Sequence, residues 1–195
     1  MGQTDSIALI REDPDLAPVV EQLGPVTLEP AEDPFERFLT AIVRQQVSMA
    51  AAAAINERLA DAIEVTPAAI LAADRTTLRE AGLSEAKTDY AKAIATVWQE
   101  RGYDRSYFEA LSDEAVVSEL TDIHGVGDWT AKMFLMFCLG REDVFPVEDL
   151  GIRKGMWRFV DEDLGRAAMR ERASEWTPYR SYASLYLWRG VENDL

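Results

Sequence analysis

Two residue types are scarce in this chain of 195 residues, and each scarcity excludes a class of site. The single cysteine, Cys138, excludes an internal disulfide and a four-cysteine iron–sulfur cluster. It lies in the apolar stretch KMFLMFCLG, so we expect a buried, small apolar side chain. The single histidine, His124, is a weak basis for a metal site.

Long apolar runs are also missing. No stretch reaches the roughly 18–20 uncharged apolar residues of a membrane-spanning helix. The first residues, MGQTDSIALIREDPD, lack the basic start and apolar core of a signal peptide. We therefore expect a cytoplasmic protein without a membrane partner. Hydrophobic residues make up 48% of the chain, which favours a packed core.

Positive charge is scarce as well, since 20 Lys and Arg face 35 Asp and Glu. Residues 1–36 hold nine acids and one base, whereas residues 120–160 hold six acids and five bases. An acid-rich surface with few lysines resembles that of proteins from halophiles. At the high salt inside such cells the Debye length falls to about 3 Å or less, so a negative net charge no longer argues against nucleic-acid binding. Equal folding and activity with and without molar KCl would contradict this hypothesis.

Helix-start patterns recur along the sequence. Asp33-Pro34, Ser48, Thr66-Pro67, Ser84 and Ser112 each precede a segment of helix-forming residues. No sustained alternation of apolar and polar residues indicates a strand. The sequence predicts an all-α protein of about ten helices, with the weakest pattern in its first 30 residues.

The segment ELTDIHGVGDWTAKMF predicts a helix, a tight turn and a second helix. Gly125 and Gly127 are expected to adopt positive φ and to let another backbone approach. The first amides of the second helix would then form an anion site. Taken alone, the turn is equally consistent with a glycine-rich corner between packed helices.

Three separated segments carry a resemblance to a known family. The hairpin resembles the helix-hairpin-helix DNA-binding motif at Leu120, Ile123, Gly125, Val126, Gly127, Thr130 and Ala131. AIVRQQVSMAAAAAINERL is similar to the Gln-Ser-Ala helix junction of the DNA-3-methyladenine glycosylase II family, within the helix-hairpin-helix glycosylase superfamily, and EWTPYRSYASLYLWRG to its C-terminal segment. An aspartate, Asp149, follows Gly127 at about the family's distance.

The resemblance implies an all-α, two-lobed glycosylase fold with a DNA-binding cleft between the lobes. One domain would span 1–195, with a central lobe at about 45–135 and a second lobe from 1–44 plus 136–195. The chain is too short for the α/β domain of larger members. The implied activity is base-excision repair: the N-glycosidic bond of a flipped alkylated purine in double-stranded DNA is hydrolysed to leave an abasic site.

The resemblance also implies the chemical roles. Asp149 would be the catalytic carboxylate, although the residues alone favour a helix cap. Trp129 stands where strand-cutting relatives have a Schiff-base lysine, and Lys132 is one turn further, so we expect a monofunctional enzyme. Trp129, Trp188 and Met133 would contact the base, since aromatic faces attract cationic bases.

Further positions are expected to contact the duplex. Gln46 matches the family's wedge position, which fills the gap left by the flipped base. The expected DNA-binding residues are Gln45, Gln46, Gly125, Val126, Gly127, Thr130 and Arg180. No cofactor is expected to be required, but the backbone carbonyls of Thr121, Ile123 and Val126 would hold a sodium or potassium ion.

Three alternatives remain open at this point. The first is a helix-hairpin-helix module that binds DNA without chemistry, and the second is a glycosylase for another damaged or mismatched base. The third is a structural helical protein with no role on DNA. We expect a nucleoid-associated monomer, and an excision assay separates the alternatives.

Overall fold

The computed structural model describes residues 3–195, and side chains from Asp5 onward. Within this range every regular element is helical, which confirms the all-α prediction. Thirteen α-helices and one short 3₁₀ turn are described, three more α-helices than expected. The additional ones are α1, α2 and the five-residue α8, because helices this short or acidic leave little apolar periodicity.

The chain divides into two compact units. The first unit combines Met1–Glu29 with Gly140–Leu195, and the second is Pro30–Leu139. The sequence placed the central lobe at about 45–135, whereas the second unit also includes the helix before residue 45.

The second unit contains eight helices and carries the hairpin. They are α3 (Pro34–Arg44), α4 (Met49–Ala62), α5 (Pro67–Ala72), α6 (Arg75–Glu80), α7 (Glu85–Arg101), α8 (Arg105–Glu109), α9 (Asp113–Thr121) and α10 (Asp128–Phe137). Phe134 packs in its core against Phe38 and Phe108, with ring centroids 4.9 and 4.8 Å apart, respectively. Cys138 is fully buried, as expected, and burial raises the pKa of its thiol.

The first unit carries Asp149 and the C-terminal helix. Its helices are α1 (Gln3–Glu12), α2 (Ala17–Leu23), α11 (Leu150–Phe159), α12 (Arg166–Ala173), the 3₁₀ turn Ser174–Trp176 and α13 (Arg180–Glu192). Trp176 and Tyr186 are among its fully buried side chains. No helix among residues 3–195 is both long and apolar enough to span a membrane.

Close packing of α11 against α13 depends on glycine. A Cβ at Gly155 would lie 2.8 Å from Leu187 Cβ and 3.0 Å from the Leu187 carbonyl oxygen. A Cβ at Gly190 would lie 2.7 Å from the Phe159 ring. The two helices therefore touch along a glycine-lined crossing, which fixes the register of α13 against α11.

Candidate functional site

The hairpin joins α9 to α10 through residues 122–127, and Gly125 is required at its apex. Gly125 has φ +91°, and an added Cβ would lie 2.1 Å from Cγ of Tyr90, which belongs to α7. The Tyr90 ring also packs edge-on against His124, with centroids 5.0 Å apart. The Tyr90 ring therefore packs directly against the turn. Both the backbone conformation and this packing exclude a side chain at Gly125.

Gly127 differs from the expectation of positive φ, which was wrong at this position. Its φ of −109° and ψ of 177° are extended values that any residue adopts. A Cβ built on Gly127 meets no atom of the chain within 4 Å. Its glycine is therefore not required by its own backbone or packing, and it leaves open space beside the start of α10.

The start of α10 also differs from the other helix starts of its unit. A side-chain oxygen caps each of α3 to α9, contributed by Asp33, Ser48, Thr66, Asp74, Ser84, Asp104 and Ser112. Gly127 provides no side-chain cap for α10. The backbone N–H groups at such an N-terminus can donate to an external anion. Asp128, in the first turn, partly offsets the positive end of the helix dipole.

Gln45 and Gln46 follow α3 and have different surroundings. The Gln45 side-chain amide donates to the Gly125 carbonyl at 3.1 Å and to Thr130 Oγ1 at 2.9 Å. It thereby links the end of α3 to the hairpin, so Gln45 has a structural contact, and its DNA-binding role stays a prediction. Gln46 is exposed and has φ 57°, in the left-handed region.

Asp149 caps α11 and also contacts Trp188. Its Oδ1 accepts from the Ile152 backbone N–H at 3.0 Å and from Trp188 Nε1 at 2.8 Å. The space for the indole exists because residue 151 is glycine: a Cβ there would lie 2.7 Å from Trp188 Cδ1. The helix-cap interpretation of Asp149 is therefore confirmed, and a cap of this kind also holds the carboxylate in one orientation.

Two arginines of the first unit, Arg153 and Arg180, form hydrogen bonds with nearby residues of the same unit. Arg153 donates to the carbonyls of Val147 at 3.3 Å and Glu148 at 2.6 Å, and so holds the segment that leads into Asp149. Arg180, which was predicted to contact DNA, forms a bidentate pair with Asp143 at 2.7 and 3.0 Å. Contact of Arg180 with DNA stays a prediction.

Trp129 and Met133 lie about one helical turn apart on α10. They line a recess of about 10 Å³ within the second unit, together with Arg37, Ala41, Arg44 and Phe137. That volume holds about one water molecule, far less than a purine. The Arg37 guanidinium lies 4.8 Å from the Phe137 ring centroid, and burial lowers the pKa of Arg37.

The predicted cation site consists of backbone carbonyls rather than side chains. Among the described residues, no group of three or more His, Cys, Asp or Glu side chains is placed to hold a metal ion. The predicted carbonyl set lies where α9 ends, at Thr121, and in the turn that follows. Ile123 oxygen accepts from Val126 N–H at 3.0 Å, which leaves that carbonyl one lone pair.

Sequence reasoning missed three supporting residues, two in the second unit and one in the first. Tyr90, Lys87 and Gly151 support the hairpin, the turn after α3 and the Asp149–Trp188 contact, respectively. The only available signal for Lys87 was the scarcity of lysine itself. No pattern in the sequence indicates Tyr90, because its role depends on the approach of α7 to the hairpin.

The chain matches a known protein family. Residues 39–178 match the family described as HhH-GPD superfamily base excision DNA repair protein. The chain is 32% identical over 166 residues to YfjP of Bacillus subtilis, covering 80% of this chain and 58% of YfjP. It is also 32% identical to DNA-3-methyladenine glycosylase 1 of Schizosaccharomyces pombe, covering 81% of this chain and 72% of that protein.

A solved structure shares the same fold. It is the 3-methyladenine DNA glycosylase Mag1 of Schizosaccharomyces pombe in complex with abasic DNA. The TM-score is 0.88 at 28% identity, and the match covers 96% of this chain and 97% of that one. The likeness therefore extends over almost all of both chains.

Proposed function

The chain belongs to the HhH-GPD superfamily of base excision DNA repair proteins, and from this premise we propose that it is a monofunctional DNA glycosylase for alkylated purines. Its substrate is a 3-methyladenine or 7-methylguanine type base in double-stranded DNA, and its product is an abasic site. The relatives named above support this substrate class. The observation that carries the proposal is Asp149, a carboxylate held by a backbone N–H and an indole N–H.

Asp149 acts on the sugar. As the bond between C1′ and the base nitrogen breaks, positive charge develops on the deoxyribose, and a nearby carboxylate stabilises it. The cationic base leaves as a neutral molecule with the electron pair of the broken bond. Asp149 also positions the water that adds to C1′, and the one proton that this water loses passes to solvent. Because Ile152 N–H and Trp188 Nε1 already orient Oδ1, little reorganisation accompanies charge development.

The chemistry ends at base release. A lyase needs an amine that attacks C1′ and forms a Schiff base. Trp129 occupies the position two residues after Gly127 and carries no amine, and Lys132 is nearly one helical turn further along α10. Strand cleavage therefore requires separate treatment with alkali.

The hairpin binds the backbone of the duplex. A DNA phosphate approaches the open side of Gly127 and accepts from the first amides of α10. A sodium or potassium ion at the carbonyls of Thr121, Ile123 and Val126 would offset Asp128, since hard cations take oxygen ligands. This contact needs no lysine-rich patch, which accounts for DNA binding by an acidic chain.

The remaining predicted residues complete the proposal. Gln46 enters the duplex where the base leaves, and Trp129, Trp188 and Met133 contact the flipped base. The protein works as a monomer on chromosomal DNA in the cytoplasm, in the nucleoid. The role of Gln46 is supported by its exposure at the end of α3.

The test is base release from defined duplexes. Purified protein is incubated with duplexes containing 7-methylguanine, 3-methyladenine, hypoxanthine or ethenoadenine, at low and high KCl. We expect strand breaks only after hot alkali, and most rapidly for the cationic alkylated bases. Binding of every duplex without any base release would instead support a helix-hairpin-helix binding module.

A further inference from the structure

Lys87 of α7 lies directly beneath the turn that carries Gln46. Its ammonium donates to the carbonyl oxygens of Val43 and Gln45, both at 2.7 Å. These carbonyls belong to the last turn of α3 and its C-cap, where no intrahelical donor remains. A cation at this end also interacts favourably with the helix dipole.

The turn itself is strained at Gln46. A φ of 57° is the conformation that glycine adopts most easily after a helix, and a glutamine there carries a steric penalty. The side chain is exposed, so burial does not compensate for that penalty. A glutamine kept in this conformation needs neighbouring contacts that hold the turn, and Lys87 makes two of them.

Gln45 extends the same set of contacts to the hairpin. Its carbonyl accepts from Lys87, while its side-chain amide donates to the Gly125 carbonyl and to Thr130 Oγ1. Lys87 is therefore connected through one residue to the hairpin. Gln46 and the hairpin are held in a fixed relation within one unit.

We propose that Lys87 is a positioning residue for base extrusion: it holds the Gln46 turn rigid so that Gln46 enters the duplex as the damaged base leaves. This inference rests on the proposed function, because it assigns Lys87 a task within that reaction. Lys87 acts through the backbone carbonyls and touches neither the base nor the sugar. Burial lowers the pKa of Lys87, which agrees with an ammonium partly removed from water.

The chain offers a matched control on the same helix. Lys92 donates to the carbonyls of Leu71 at 2.9 Å and Ala73 at 2.5 Å, at the end of α5. Lys87 and Lys92 therefore make the same kind of contact, each closing the end of one helix. Only Lys87 does so beneath Gln46.

The experiment compares Lys87→Met with Lys92→Met under single-turnover conditions with enzyme in excess. Each variant is assayed on 7-methylguanine paired with cytosine, and on the same base within a three-base mismatched bubble, where unstacking is easier. We expect Lys87→Met to release base at least tenfold more slowly from the paired duplex, with little change on the bubble. Lys92→Met is expected to leave both rates close to wild type.

Conservative variants separate positioning from general destabilisation. Lys87→Arg keeps donors for both carbonyls and is expected to recover most of the paired-duplex rate. Should Lys87→Met fail to fold, Lys87→Gln decides the same ratio, because its shorter side chain cannot donate to both the Val43 and the Gln45 carbonyls. Equal slowing on both substrates, or the same ratio for Lys92→Met, would overturn the proposal.

A second readout does not depend on base release. The fluorescence of 2-aminopurine placed beside the lesion rises when the stack is opened, and we measure it with Asp149→Asn protein. The same measurement is made after Lys87→Met is added to the Asp149→Asn protein, and a loss of the fluorescence rise supports the positioning role. This result holds even if the wild-type protein releases no base, in which case only the proposed function fails. An unchanged rise in Lys87→Met overturns the positioning role.

Discussion

Two aspartates of the first unit each accept a hydrogen bond from a tryptophan indole, yet their surroundings differ. Trp176 donates to Asp13 Oδ2 at 2.7 Å, and Trp188 donates to Asp149 Oδ1 at 2.8 Å. The Asp13 side chain is 7% exposed and forms an ion pair with Arg172 at 2.5 Å. Asp149 is half-buried at the start of α11.

The difference teaches that the charge of the donor decides the role of such a pair. Arg172 neutralises Asp13, and its guanidinium lies 4.9 Å from the Trp176 ring centroid, so this cluster ties the segment after α1 to the end of α12. The donors described on Asp149 Oδ1 are neutral N–H groups, which orient a carboxylate without cancelling its charge. We therefore expect Asp13 to contribute to stability, and the role proposed for Asp149 is in the chemistry.

The largest expected effect is that of Asp149→Asn on the rate. Asparagine also caps helices, so the free energy of unfolding should change by less than about 1 kcal/mol. Loss of the charge should slow base release by about 10³-fold or more, while DNA affinity remains. Single-turnover base release, binding and urea unfolding test this, and retained turnover would contradict the assignment.

Asp13→Asn should show the opposite pattern. Removing one partner of a buried ion pair should lower the free energy of unfolding by about 3 kcal/mol, since Asp15 and Glu175 still pair with Arg172. The base-release rate of the folded protein should stay within twofold of wild type at a temperature where the variant is folded. A large rate loss in fully folded Asp13→Asn would break the comparison.

Trp188→Phe tests what the indole N–H contributes. Phenylalanine keeps an aromatic face but loses the bond to Asp149, a contact to a charged group of about 1.5 kcal/mol. That loss corresponds to roughly tenfold slower base release. An unchanged rate would show that only the aromatic face of Trp188 matters, and Trp176→Phe serves as the control that should reduce stability instead.

Gly127→Asp would give α10 the kind of cap that Asp149 gives α11. The backbone and the open space at Gly127 accept the side chain, and because glycine is itself a tolerated N-cap we expect a stabilisation of only about 0.3 kcal/mol. The new carboxylate would repel a phosphate at the same amides, and DNA affinity should fall. Gly127→Ser, a neutral cap, is the control, and equal affinities of both variants would argue against phosphate binding there.

The smallest expected effect is the pH dependence of stability. Burial alone would raise the pKa of Asp13, but hydrogen bonds from Arg172, Trp176 and the Leu16 N–H outweigh it and hold the pKa below its ordinary value. The stabilisation is therefore present above a pH of about 4 and is lost as the pH falls below it. Urea unfolding between pH 7 and 3 should show a shallower acid loss in Asp13→Asn than in wild type.

Local residue patterns made much of the fold predictable. Asp33, Ser48, Thr66, Ser84 and Ser112 cap helices where the sequence indicates, because capping is a contact within four residues. The start of α11 at Asp149 was visible for the same reason. The family resemblance was visible in three short segments.

Contacts between distant residues were not predictable. The Trp188–Asp149 bond joins positions 39 residues apart and depends on the missing side chain of Gly151. The extended conformation of Gly127 was missed because glycine in a turn suggests positive φ. At this position the lack of a side chain instead leaves open space beside the start of α10. The contact of Gln45 with the hairpin depends on how α3 approaches α10.

The glycine-lined crossing of α11 and α13 has a consequence for insertions and deletions. Residues 161–165, the largely exposed connection after α11, lie outside the crossing at Gly155 and Gly190, so we expect a change in their number to leave the crossing intact. A single-residue deletion between Arg180 and Trp188 would rotate the indole by about 100° about the axis of α13 and away from Asp149. We therefore expect changes in chain length to be tolerated in that connection and to be damaging within α13.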